Sequence, residues 1–207
     1  MYKQWATQSC KEEDEASFEN IQRLGAALEK AREYYLSMGK VPYITLSLLT
    51  ELHSIILPNH FWTGLRSSNV YTVYKGRIHI YPDHWTLEDQ LHATCDLCNR
   101  LVRNLKYLDQ TNKLTLQIIS EVVALVVFNI LSIHPYVDGN GRLSRVIASY
   151  LFFLITDDPK VVKGWVPSLI TIRESISNTT FPVQVNVQPL QNKIKDAYRP
   201  IDSCTLN

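Results

Sequence analysis

Cysteine is scarce in this chain, and its placement does not suit a disulfide framework. Cys10 and Cys204 lie near the two ends, while Cys95 and Cys98 sit close together. Small secreted scaffolds are stapled by dense, regularly spaced pairs, so reduced thiols are expected here. Net charge is nearly absent: 21 Lys and Arg against 20 Asp and Glu leave a formal +1. That excludes a sequence-wide electrostatic pull, and neither nucleic acid nor a membrane surface is expected as a partner. Residues 1–15 contain no basic stretch followed by an apolar core, so no secretory leader is read and a cytoplasmic location is expected. The longest apolar run, Ile118 to Ile133, is short for a bilayer span and reads as a buried central helix. There are no internal repeats and no low-complexity tract.

What is present is mostly helical periodicity, with a hydrophobic share of 45% to fill a core. Ile21, Leu24, Leu28 and Ala31 make one stripe; Leu46, Leu49, Leu52, His53 and Ile56 make a second. A third helix is predicted from about Leu87 to Leu105, with Thr86 as its N-cap. A fourth spans roughly Leu114 to Ser132. A fifth turns Leu143, Val146, Ile147, Tyr150, Leu151 and Leu154 inward, and a sixth is expected near Val166 to Ser177. One stretch breaks the pattern. Val70, Tyr71, Thr72, Val73 and Tyr74, then Ile78 to Ile80, are β-formers around Lys75-Gly76-Arg77, which predicts a short hairpin. The expected fold is therefore all-α, a helical bundle carrying one β-hairpin. Its expected organisation is an N-terminal helical extension over 1–40, a core over 41–178 and a tail over 179–207.

The chemistry is concentrated in His134-Pro135-Tyr136-Val137-Asp138-Gly139-Asn140-Gly141-Arg142-Leu143-Ser144-Arg145. Gly139, Asn140 and Gly141 lie where a new helix begins. Free amides at a helix N-terminus form an anion nest, and glycines let a ligand approach them. Arg142 and Arg145, three apart, share a helix face and suit phosphate. Asp138 is placed to bind a Mg²⁺ bridging phosphates. His134 can take a proton near neutral pH. The bland alternative is a helix-turn-helix corner with capping Asp138 and Asn140, turning glycines and solvated arginines. Elsewhere, His92, Cys95 and Cys98 read as core or boundary residues rather than a metal site.

The twelve-residue run resembles the signature of the Fic-domain (Fic/DOC) family, His-x-Phe-x-(Asp/Glu)-Gly-Asn-Gly-Arg-x-x-Arg, with Tyr136 in place of the usual Phe. Gly64-Leu65-Arg66 followed by the hairpin resembles that family's glycine–arginine segment and flap. Leu49-Thr50-Glu51-Leu52-His53-Ser54 resembles its first core helix. The likeness covers about residues 42 to 175. It implies a Fic-type bundle and a protein adenylyltransferase, moving AMP from ATP to a Ser, Thr or Tyr hydroxyl of a target protein. His134 is then the base, Asp138 the Mg²⁺ ligand, and Gly139, Asn140 and Gly141 the phosphate cradle. Arg142 and Arg145 bind the far phosphates. The flap residues Val70, Tyr71, Thr72, Val73, Tyr74 and Ile78 dock the target. The phosphate-transferring branch carries Lys where Gly141 stands, so the likeness favours nucleotidyl transfer.

Upstream, Glu15-Ala16-Ser17-Phe18-Glu19-Asn20 resembles the family's inhibitory helix, although Glu15 departs from the expected Ser or Thr. A carboxylate at Glu19 would compete with the γ-phosphate for Arg145. The other reading makes Glu19 an ordinary acid on a solvated helix start. Ser47 to Glu51 offers a second frame, followed by Leu52. Self-modification and a homodimer are further implications of the resemblance. Two competing functions remain at this point: removal of AMP from the target with Glu19's help, and a catalytically weak nucleotide-binding or toxin-type module.

Overall fold

The computed structural model describes residues 6–7, 10–11, 17–38, 43–58, 63–74, 77–110, 115–156, 188 and 191–192. Within them run α1 (Phe18–Ser37), α2 (Leu46–Ile56), β1 (Tyr71–Tyr74), β2 (Arg77–Ile80), a 3₁₀ turn (His84–Thr86), α3 (Leu87–Gln110), α4 (Leu116–Ile133) and α5 (Asn140–Thr156). The expected helix over 166–177 and most of the tail lie outside the described residues. So does the acidic stretch 12–15.

Three helices start by the same device. Ser17, Thr45 and Thr115 are extended, and each side-chain oxygen accepts the amide three residues on, from Asn20, Leu48 and Ile118, at 3.0–3.3 Å. Each bond satisfies one orphan donor of a helix start. Thr86 departs from its expected capping role. Its hydroxyl donates to Asp83 O at 2.8 Å and accepts from Gln90 Nε2 at 2.8 Å, because a 3₁₀ turn leads directly into α3. That helix also continues five residues beyond the expected Leu105.

The bundle is organised around α5. It was expected to bury one face, but every residue from Arg142 to Ile155 is buried. A helix enclosed on all sides belongs at the centre of a bundle. Each fully buried Leu, Ile, Val or Phe contributes about 1.5–3 kcal/mol. Helices α1, α2, α3 and α4 all pack on α5, and α1 also packs on α2. The stripe Leu24, Ala27, Leu28, Ala31 and Tyr35 of α1 joins the same core as α5. By length and composition α4 is apolar enough to cross a membrane, which corrects the reading of its run as too short. Inside the protein most of its apolar residues, among them Val123, Val127 and Leu131, are buried.

Polar clasps fix what helix packing leaves free. Asn99 accepts the Ile44 amide at 2.7 Å and donates to the Ile44 carbonyl at 2.9 Å. Tyr150 donates to Tyr43 O at 3.2 Å. Together they pin the lead-in of α2 to α3 and α5. From the tail, buried Gln191 donates to Gln117 O at 3.3 Å, at the start of α4.

Candidate active site

Helix α4 ends at His134, which caps it in the left-handed region at φ 49°, ψ 60°. That conformation costs a non-glycine residue about 1–2 kcal/mol, so the surroundings must hold it. Its amide donates to Ile130 O at 3.0 Å. Its carbonyl accepts from Arg66 Nε at 2.8 Å, and the Arg66 amide donates to Pro135 O at 2.9 Å. The Arg66 guanidinium is buried and also donates to Ile133 O at 3.4 Å. A cation there meets the negative end of the α4 dipole. The His134 ring stacks on Tyr81, just past β2, with centroids 4.1 Å apart and planes 22° apart.

From His134 the chain turns into the anion loop. Tyr136 is fully buried and its ring lies flat on His53, 3.8 Å away at 8°. The packing makes this residue an aromatic anchor. Asn140 then clasps the backbone of Tyr136, accepting its amide at 3.0 Å and donating to its carbonyl at 2.8 Å. His53 Nε2–H donates to Asp138 O at 2.8 Å. The proton of the neutral ring is therefore on Nε2. Nδ1 is a buried lone pair without a hydrogen-bond partner among the described residues. Burial lowers the His53 pKa against the opposing pull of the Asp138 carbonyl.

Gly139 has φ 76°, and a Cβ there would meet Leu57 Cδ1 at 2.9 Å and His53 Nε2 at 3.3 Å. Only glycine fits this backbone against α2 without displacement. Asp138 accepts the Gly139 amide at 2.6 Å and Arg142 Nη2 at 3.2 Å, while its side chain stays 53% exposed. A half-exposed carboxylate beside a helix N-terminus suits Mg²⁺, which commonly takes one or two carboxylates and completes its shell with water and substrate phosphate. Among the described residues no three His, Cys, Asp or Glu side chains gather into a fuller metal cage.

The arginines overturn the solvated-corner alternative. Arg142 and Arg145 are each 1% exposed, on successive turns of α5. Burying guanidinium groups costs several kcal/mol each unless they are compensated, and Asp138 compensates Arg142.

The structure does not bring Glu19 to Arg145. Glu19 sits in the first turn of α1, mostly exposed, and its carboxylate is bound by Arg23 one turn on. In the alternative frame, Glu51 pairs with Lys30 at 3.0 Å. The hairpin forms as expected, antiparallel, with Tyr71 opposite Ile80, Thr72 opposite His79, Val73 opposite Ile78 and Tyr74 opposite Arg77. Tyr71, Val73, Ile78 and Ile80 share one face and are 57–72% exposed. Tyr71, Ile78 and Ile80, with Asn69 and Val70, line a shallow apolar groove. The hairpin is closed at its base by Tyr81 N–H donating to Val70 O at 3.2 Å.

Cys95 and Cys98 are buried thiols, and burial pushes Cys95 up to about 11 and Cys98 up as well. His92 is exposed near Glu88. The reading as core residues holds for Cys95 and Cys98, while His92 lies on the surface. Sequence reasoning missed His53 and Tyr81 as parts of the site, and Arg66 was noticed only through a resemblance. A histidine inside an otherwise apolar stripe was the available signal for His53.

A comparison with solved structures returns the same architecture. A Fic domain containing signaling protein from Bacteroides thetaiotaomicron superposes with TM-score 0.66 at 17% identity, over 87% of this chain and 68% of that one. IbpAFic2, covalently tethered to Cdc42, gives 0.60 at 18% over 93% and 61%. BepC from Bartonella tribocorum, with bound AMPPNP, gives 0.51 at 16% over 87% of each chain. The chain spans about half the length of a Fic family protein from Desulfovibrio desulfuricans. No curated protein matches in sequence. At these identities the likeness is one of fold. The sequence model of the Fic/DOC family matches residues 43–152, from the clasped lead-in of α2 nearly to the end of α5. With just over half of its length matched, the chain belongs to the Fic/DOC family.

Proposed function

We propose that the protein transfers AMP from Mg-ATP to a hydroxyl side chain of a target protein and releases pyrophosphate. The observation that carries the reading is the corner itself. His134 is held at the end of α4, four residues before the Asp138-Gly139 turn that opens α5. A proton acceptor and an anion nest then lie on one short loop. In the proposed reaction His134 takes the proton of the target hydroxyl. The hydroxyl oxygen attacks the α-phosphorus, and the bond from that phosphorus to the bridging oxygen breaks. Gly139, Asn140 and Gly141 cradle the phosphates, and Arg142 and Arg145 supply positive charge at the pyrophosphate end. Asp138 would hold Mg²⁺, which supplies neutralising charge to the phosphates when bound.

The flap offers a target segment its exposed apolar face and its open strand edges. Control by α1 is part of the proposal in one form. This helix packs on α5 and carries Glu19 in its first turn, so releasing Glu19 from Arg23 is needed before it can compete with phosphate. Intact mass after incubation with Mg-ATP and candidate targets tests the activity. A gain of one AMP that disappears in His134→Ala is the expected result; no gain on any target or on the chain itself refutes it. Greater incorporation in Glu19→Gly supports inhibition. Unchanged incorporation makes Glu19 a helix-start acid and nothing more.

A further inference from the structure

We propose that Arg66 is a positioning residue that joins the hairpin and the His134 corner into one mechanical unit. The inference rests on the proposed roles of both parts. Arg66 reaches both with hydrogen bonds from a single buried side chain. On one side it holds the carbonyls of Ile133 and His134, while its own amide holds Pro135. On the other its Nη1 donates to Ser68 O at 2.7 Å and its Nη2 to Pro82 O at 2.5 Å. Ser68 lies three residues before β1 and Pro82 two residues after β2, so these are the two feet of the hairpin. The segment that turns the proposed base is therefore tied through one planar fork to the segment proposed to carry the target.

A second tie makes the two roles separable. Asn69 Nδ2 donates to Asp83 Oδ1 at 2.7 Å, and Asn69 Oδ1 accepts the His84 amide at 2.9 Å. Those bonds join the feet to each other without touching residues 133–135. Removing the Arg66 fork thus leaves the hairpin closed and reduces its tie to the corner to the Arg66 amide on Pro135 O and the Tyr81–His134 stack. The Tyr81–His134 stack bridges the same gap, and the fork holds the backbone that carries each ring, at His134 O and at Pro82 O. A lysine cannot replace the fork, because one ammonium cannot span carbonyls fanned around a plane. Displacement of a base by about 1 Å costs on the order of a hundredfold in rate.

Arg66→Lys is the test. The ring protons of His134, followed by NMR, should lose the ring-current shift from Tyr81 and move to their values in Tyr81→Leu. The kcat for AMP transfer should fall by at least tenfold, with KM for the target raised and Mg-ATP affinity within twofold of the parent. Unmoved His134 ring shifts overturn the coupling, whether or not the protein transfers AMP. Moved shifts with unchanged kcat overturn the positioning role. Absence of AMP transfer in the unmodified protein defeats the proposed function instead, and the ring shifts then decide the coupling alone. Should Arg66→Lys fail to fold, Tyr81→Leu breaks the bridge without disturbing the buried guanidinium. It must show the same loss of kcat at unchanged Mg-ATP affinity, and a kcat within twofold of the parent overturns the proposal.

Discussion

Three glycine-to-alanine substitutions separate backbone strain from steric contact. At Gly139 both operate: φ is 76°, and the new Cβ would stand 2.9 Å from Leu57 Cδ1 and 3.3 Å from His53 Nε2. At Gly64 only strain operates, since φ is 88° and nothing lies within 4 Å. At Gly25, inside α1, neither applies. Left-handed alanine costs about 1–2 kcal/mol, which is the whole expected cost of Gly64→Ala. Gly139→Ala adds an overpacking cost of about 1–3 kcal/mol. Leu57 can rotate away, but His53 is held by Asp138 O and by the face of Tyr136, so the loop has to move instead. Gly25→Ala should stabilise by about 0.5–1 kcal/mol, because it restricts the unfolded chain and favours helix. Urea unfolding measures all three, and for a chain of this size melting shifts of roughly 2–4 °C per kcal/mol should agree. The expected order of stability is Gly25→Ala, parent, Gly64→Ala, Gly139→Ala. Equal losses at 64 and 139 would refute the contact with His53. A Gly139→Ala protein within about 0.5 kcal/mol of the parent would refute the strained loop altogether.

Asn140→Ala removes both bonds to the Tyr136 backbone and leaves a buried amide and carbonyl without partners. Each orphan costs about 1–3 kcal/mol, so urea unfolding should show a loss of about 2–6 kcal/mol, and a loss under about 1 kcal/mol contradicts the clasp. Alkaline pH should also destabilise the protein. Burial raises the Cys95 thiol from 9.0 to about 11 and the Tyr136 phenol from 10.0 to about 12. The folded state keeps these protons longer than the unfolded chain, so their stabilisation is complete below pH 9 and is lost as pH rises through the two folded values. Urea midpoints should fall between pH 9 and 11, and Cys95→Ala should flatten the first part of that fall; a midpoint unchanged across this range contradicts the buried thiol and phenol.

Periodicity made the helices legible, because stripes such as Leu24, Leu28 and Ala31 report burial directly. The hairpin was legible from its β-formers, and the loop from twelve contiguous residues. Long-range polar contacts were not. His53 meets Asp138 across 85 positions, Arg66 meets His134 across 68 and Asn99 meets Ile44 across 55. Each is a single side chain answering a distant backbone group, and nothing in its local sequence announces the partner. The burial of Arg142 and Arg145 was hidden for a related reason. A charged residue at helical spacing reads as surface until the other helices are seen to enclose it. Glu19 shows the reverse case: a local partner, Arg23 one turn away, holds its carboxylate in this structure.

The exposed apolar face of the hairpin has a consequence for how such a protein can diversify. Tyr71, Val73, Ile78 and Ile80 bury little of their surface, so exchanging them changes stability by only a few tenths of a kcal/mol. The loop one stacking contact away tolerates almost no exchange, as Gly139, Asn140 and Tyr136 each fill a fixed role. A lineage can therefore rewrite the four-residue face repeatedly, testing new recognition surfaces by drift, while the chemistry beneath it stays frozen.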